Sequence, residues 1–187
     1  MFITYRSLKT NFLSQGFYEN KNSYYAFIGM SYHGGYDFVG YLGEPIYWDV
    51  SVKGTVLNLE TDNAGGLGVN VITDDEHGIY KHRFWHLKDF SCQPGQVLET
   101  GDLVGHCDTT GLATGSHLHR DMKEMVKDGL GNYQIKDRDN GSFGTVPIIM
   151  FENIFVKDKM AYLEIQVSIL QSLIKAIQTF LSFLTKK

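Results

Sequence analysis

Cysteine and proline are scarce in this 187-residue chain, at two and three residues. Cys92 and Cys107 make no Cys-x-x-Cys pair, which argues against a structural zinc knot. Their spacing gives no reason for a disulfide, and free, partly buried thiols are expected. A basic excess is also missing. Lys+Arg total 17 against 21 Asp+Glu, for a formal charge of -4, and no basic stripe is present, so no nucleic-acid partner is expected. The segment Met1 to Lys9 has no long apolar core and no small-residue cleavage site. No secretory signal is expected there, which implies a cytoplasmic location or release by lysis or an unconventional route. No His-Glu-x-x-His motif occurs anywhere.

Hydrophobic residues make up 43% and charged residues 20%, which excludes a disordered chain. A mass of 21.2 kDa suits one domain with an appendage. Twenty glycines spread through β-branched and aromatic runs predict a sheet protein with tight turns. Val56 to Leu87 reads as an antiparallel meander, turning at Gly65-Gly66-Leu67-Gly68 and at Asp74 to Gly78. Short strands are expected around Pro94-Gly95-Gln96 and Thr100-Gly101-Asp102, and another at Ser116 to Met122. Gly129 to Gly144 reads as a long loop, and Val146 to Phe151 as a closing strand.

The composition changes near Lys157, so residues 1–156 and 157–187 are expected to be separate parts. Met160 to Leu184 has no glycine or proline. Leu170, Leu173, Ile177, Phe180 and Leu184 recur at the spacing of an amphipathic helix. This C-terminal α-helix is read first as packing on its own domain or on a second copy. The alternatives are association with a membrane surface and, least favoured because Gln166, Gln171 and Gln178 are costly in lipid, a membrane span.

Seven histidines stand at 33, 77, 82, 86, 106, 117 and 119. His117-Leu-His119 on a strand would put two imidazoles on one face, about 7 Å apart along the backbone. His33-Gly-Gly-Tyr-Asp37 offers an imidazole and a carboxylate, with glycines that permit close backbone approach. Two imidazoles and a carboxylate suit zinc and leave a coordination position open, the catalytic pattern. Spacing alone does not say which of His117 and His119 would bind. His82 has the strand parity of His86 but lies about 13 Å away along an extended strand, too far to share a metal. His77 and His106 read as surface residues.

A wider order of blocks carries a resemblance. His33-Gly-Gly-Tyr-Asp37-Phe is followed by Gly43-Glu-Pro-Ile, Gly54-Thr-Val and Phe84-Trp-His86-Leu. Gly95-Gln-Val, Gly101-Asp-Leu-Val-Gly105 and Thr110-Gly-Leu-Ala-Thr-Gly-Ser-His-Leu-His119 come next. From about Leu13 to Asp121 the chain resembles the lysostaphin-type (LytM-type) zinc endopeptidases that cut peptidoglycan peptides. The resemblance implies a mainly β fold, a small antiparallel β-barrel or folded sheet of the duplicated hybrid motif type, with the site in a groove. It implies one zinc ion held by His33, Asp37 and His119. It makes His117 and His86 the catalytic pair, with His117 the expected base and His86 the expected stabiliser. One departure stands out. Arg120-Asp121 follows His119 where the family has an aromatic or aliphatic residue and then glutamate, so Arg120 must pair with an acid, snorkel out, or mark an early strand end.

The expected function is therefore zinc-dependent hydrolysis of peptide bonds in bacterial peptidoglycan, with a phage-type lysin as one setting. The alternatives are a catalytically silent wall-binding or regulatory module of the same fold, and a metallopeptidase acting on other peptides.

Overall fold

The structure, a computed structural model, describes residues 2–10, 12–20, 25–148, 150–156, 167–175, 177, 178 and 181. The chain divides into two compact units, Met1–Val156 and Lys157–Lys187. In chain order the strands are β1 (Thr4–Arg6), β2 (Phe12–Gln15), β3 (Tyr36–Val39), β4 (Pro45–Tyr47), β5 (Gly54–Asp62), β6 (Gly66–Asp75) and β7 (Gly78–Phe90). They continue with β8 (Val97–Leu98), β9 (Leu103–Cys107), β10 (His117–Lys127), β11 (Tyr133–Ile135), β12 (Thr145–Val146) and β13 (Met150–Phe155).

Eleven strands form one antiparallel sheet along the path β2-β3-β10-β7-β6-β5-β8, with β11 and β12 also on β10, and β9 linking β7 to β4. The ends of this path, β2 and β8, do not pair, so the sheet folds over without closing into a barrel. β1 and β13 pair in parallel as a separate two-stranded sheet. The meander expected over 56–87 is the run β5-β6-β7. The expected loop at 129–144 contains β11, which pairs with β10. The single closing strand expected at 146–151 is split, because β12 pairs with β10 while β13 leaves for β1.

Strand alternation separates core from groove. On β10, Leu118 and Arg120 are fully buried on one face, while His117, His119 and Asp121 take the other. Leu118 joins Trp48, Phe84, Val69, Val71 and Leu87 in the main apolar cluster. Each such side chain contributes roughly 1.5–3 kcal/mol on burial. Arg120 resolves the departure noted above by pairing with an acid. Its Nε and a terminal nitrogen donate to the two Asp49 oxygens at 3.0 and 2.9 Å. Cys92 and Cys107 are free and buried.

In the second unit, residues 167–175, 177, 178 and 181 are helical. The rest of the helix expected over Met160 to Leu184 lies outside the described residues. Among the described residues, no helix is long and apolar enough to cross a membrane.

Candidate metal centre and catalytic groove

β10 runs between β3 and β7, and its register builds the site. His119 stands opposite Asp37 on β3 and opposite Trp85 on β7. His33 lies just before β3 and reaches the same point because Gly34 and Gly35 let the chain press against its neighbours. A Cβ at Gly35 would come within 2.7 Å of the His119 ring, and one at Gly34 would meet the Ser142 hydroxyl at 2.0 Å.

Three ligand-type atoms converge. His33 Nε2 is 3.2 Å from Asp37 Oδ1 and 3.0 Å from His119 Nδ1, and His119 Nδ1 is 2.8 Å from Asp37 Oδ1. Tetrahedral zinc with bonds of about 2.0–2.1 Å separates its ligand atoms by about 3.3–3.4 Å, so the triangle needs only a slight opening to take such an ion. The outward nitrogens are held as well. The His33 Nδ1–H donates to the Gly16 carbonyl at 2.9 Å, which leaves Nε2 with its lone pair toward the triangle. His119 Nε2 lies 3.2 Å from Asp121 Oδ2, and the Arg83 Nε–H donates to Asp121 Oδ1 at 2.7 Å. A carboxylate behind a ligating imidazole fixes its tautomer and raises its basicity.

Electrostatics favour positive charge at this point. Burial opposes charge on His119, but Asp121 and Asp37 on either side outweigh it and push its pKa up to about 9. Burial also opposes ionisation of Asp37, yet the hydrogen bond from His119, with the His33 ring beside it, holds its carboxyl well below the usual range.

Two further imidazoles face the triangle. His117 Nε2 is 3.8 Å from Asp37 Oδ1, and its Nδ1–H donates to the Gly115 carbonyl at 2.8 Å. The His86 ring lies 4.4 Å from the His117 ring and 6.2 Å from the His119 ring, centroid to centroid. Simple alternation on β7 would have sent His86 to the core face with Phe84. An extra residue on β7 between its pairings with Val69 and Leu67, and a left-handed φ of 62° at His86, turn it into the groove instead. Contacts on three sides hold this conformation. The His86 N–H donates to Gly65 O, its carbonyl accepts from Asp108 N–H, and its Nδ1–H donates to Thr110 O at 2.7 Å. Burial pushes the His86 pKa down to about 4, against the Thr110 hydrogen bond, so at neutral pH its Nε2 is a bare acceptor.

All five residues expected from the sequence thus meet at one groove of about 280 Å³. His82 does not join them. Because of the bulge it points to the opposite face, fully buried against Arg120, so the parity shared with His86 on paper does not hold. His77 is half-buried beside Asp75, and His106 is held by Asp89. Sequence reasoning missed Asp121 as a support, although its position two residues from His119 on the same strand was a usable signal. The carbonyls of Gly16, Thr110 and Gly115 left no such signal, since any residue type supplies one.

The segment that builds this groove is similar to known proteins. The model of Peptidase family M23 matches residues 31–132, which is more than half of the chain. Peptidoglycan DD-endopeptidase ShyB of Vibrio cholerae is 30% identical over 87 residues, covering 46% of this chain and 19% of that protein. Lysostaphin of Staphylococcus staphylolyticus is 26% identical over 87 residues, covering 46% of this chain and 18% of its own length. The matches therefore span about a fifth of these relatives. Among solved structures, a zinc containing peptidase from Vibrio cholerae superposes with a TM-score of 0.55 at 25% identity, over 65% of this chain and 36% of that one. With the matched segment running from Ser31, two residues before His33, to beyond the end of β10, the chain belongs to Peptidase family M23.

Proposed function

We propose that this chain is a zinc-dependent endopeptidase that hydrolyses peptide bonds of bacterial peptidoglycan. The observation that carries the reading is the triangle of His33 Nε2, Asp37 Oδ1 and His119 Nδ1, faced by two imidazoles whose Nδ1–H groups are bound to carbonyls and whose Nε2 lone pairs are left as acceptors. The substrate class rests on the peptidoglycan endopeptidases among the relatives.

His33, Asp37 and His119 would hold the ion. Zinc in such a site acts as a Lewis acid toward a carbonyl and lowers the pKa of water from about 15.7 toward 7. The remaining work falls to this chain's own side chains. His117, partly open to solvent, takes the proton of the attacking water at Nε2 and returns it to the departing amine. His86, with Nδ1–H committed to Thr110, accepts a hydrogen bond from the water at Nε2 and aims it. This role is narrower than general stabilisation, because a neutral His86 has no proton at Nε2 to offer a developing oxyanion. The β5–β6 turn around Gly65 forms one wall of the groove beside the reacting bond.

The test is to measure metal content and release of peptide ends from purified peptidoglycans of several cross-bridge types. His33→Ala, Asp37→Ala and His119→Ala are expected to lose zinc and activity together. His86→Ala and His117→Ala are expected to keep zinc and to lose turnover by about 10²–10⁴-fold. Stoichiometric zinc in His119→Ala would overturn the ligand set, and a zinc-loaded wild-type chain that releases no ends from any wall would overturn the activity.

A further inference from the structure

Arg83 lines the groove beside the metal triangle without belonging to it. Its Nε–H donates to Asp121 Oδ1, which fixes the plane of the guanidinium, and its charged carbon stands 5.4 Å from the Trp85 ring centroid. Among the described residues its two terminal nitrogens make no hydrogen bond, and the side chain is 19% exposed. A guanidinium oriented through one edge, with the other edge open, is suited to a planar anion.

The neighbouring charges point the same way. On the same face, Lys123 of β10 stands opposite Lys81 of β7, one pair further along from Asp121 opposite Arg83. Lys123 donates to the Phe143 carbonyl at 2.7 Å. Burial first, and then Arg83, push its pKa down to about 7. Arg83 and Lys81 interact with two carboxylates, Asp121 and Glu60. Asp121 is already committed between Arg83 and His119, which leaves the outer edge of the guanidinium for a ligand.

We propose that Arg83 sets substrate specificity by pairing with a free carboxylate carried by the peptide within two residues of the scissile bond. Only one carboxylate separates the guanidinium from His119, and an extended peptide advances roughly 3.3–3.6 Å per residue, which sets the two-residue limit. The preferred substrate is then an acidic stem peptide, and neutral glycine bridges or amidated stems are poor ones. This inference rests on the peptidoglycan reading above.

The experiment uses the full chain and matched cross-linked stem peptides that differ only in a free carboxylate or a carboxamide beside the cleaved bond, with pentaglycine as a third substrate. The expected wild-type preference in kcat/KM for the acid is about 10–100-fold, the scale of a hydrogen-bonded charge pair. Arg83→Gln is expected to bring the acid down to the level of the carboxamide, mainly through KM, and Arg83→Lys to keep part of the preference. A purely structural role for Arg83 would lower both substrates in proportion and leave their ratio intact. Calorimetric titration of the metal-free chain with the same pair provides a readout independent of turnover. If no peptide is cleaved but the acid still binds tighter through Arg83, the hydrolytic reading fails and the carboxylate site stands. Equal cleavage or equal binding of the acid and its amide by the wild type, or a preference unchanged in Arg83→Gln, overturns the inference.

Discussion

Arg120 provides a severe test of how the groove is supported. It lies on β10 between His119 and Asp121 and is fully buried, as is Asp49 opposite it. Its guanidinium donates to both Asp49 oxygens, to the Asp121 carbonyl at 2.7 Å and to His82 Nδ1 at 3.0 Å, and it sits 4.2 Å from the Phe84 ring centroid. Asp49→Ala removes the counter-charge and leaves the cation inside. Breaking a buried pair in this way costs about 3–5 kcal/mol, a large part of the roughly 5–15 kcal/mol that holds a typical domain. With a urea slope of about 2 kcal/mol/M, the unfolding midpoint should fall by about 1.5–2.5 M. The double variant Asp49→Leu/Arg120→Met removes both charges at once and should recover at least half of that loss, because the pair gains little over an apolar match of similar volume. Equilibrium urea unfolding of the wild type, Asp49→Leu, Arg120→Met and the double variant gives the coupling. An Asp49→Ala variant within about 1 kcal/mol of wild type, or a double variant whose loss equals the sum of the singles, would refute the reasoning.

Three further outcomes are expected. Asp121→Asn should weaken zinc binding by about 10–100-fold in competition with a chromophoric chelator, since it removes the carboxylate behind His119; unchanged affinity would show that the contact does not tune the ligand. Gly68→Ala should destabilise the chain by about 1–3 kcal/mol and shift tryptophan emission, because its Cβ would meet the Trp85 ring at 2.3 Å; a neutral melting curve would contradict that close approach. Lys123, with its pKa pushed down to about 7 by burial first and Arg83 next, should make stability pH-dependent. Between about pH 7 and the ordinary lysine value near 10.4, the unfolded chain binds a proton that the folded chain lacks. This group's contribution to stability therefore rises with pH across that window, by at most about 1.4 kcal/mol per unit, and its penalty is complete below it. Denaturation of the wild type and Lys123→Met at about pH 6, 8 and 10 should give a difference that grows with pH; a flat difference would sink the argument.

Local patterns in the chain carried much of the fold. The β5-β6-β7 meander follows from alternating β-branched residues broken by glycines, and side-chain parity alone puts His117 and His119 on one face. The five site residues were legible through the order of the motif blocks, as a resemblance, and spacing by itself could not separate His117 from His119. Alternation also misled. It paired His82 with His86, because a one-residue bulge and a single left-handed φ reverse the face without leaving a mark in residue type.

The sequence by itself determined the strand-forming segments, the turns and the residue types able to hold a metal and move a proton, because these depend on periodicity and side-chain chemistry over a few residues. Only the tertiary structure decided that the sheet stays open, that Asp49 neutralises Arg120, and that Arg83, among the described residues, keeps two nitrogens free in the groove. Each of these depends on partners from distant strands whose register is set by the packing of the whole sheet, and a linear pattern does not encode which strand lies beside which.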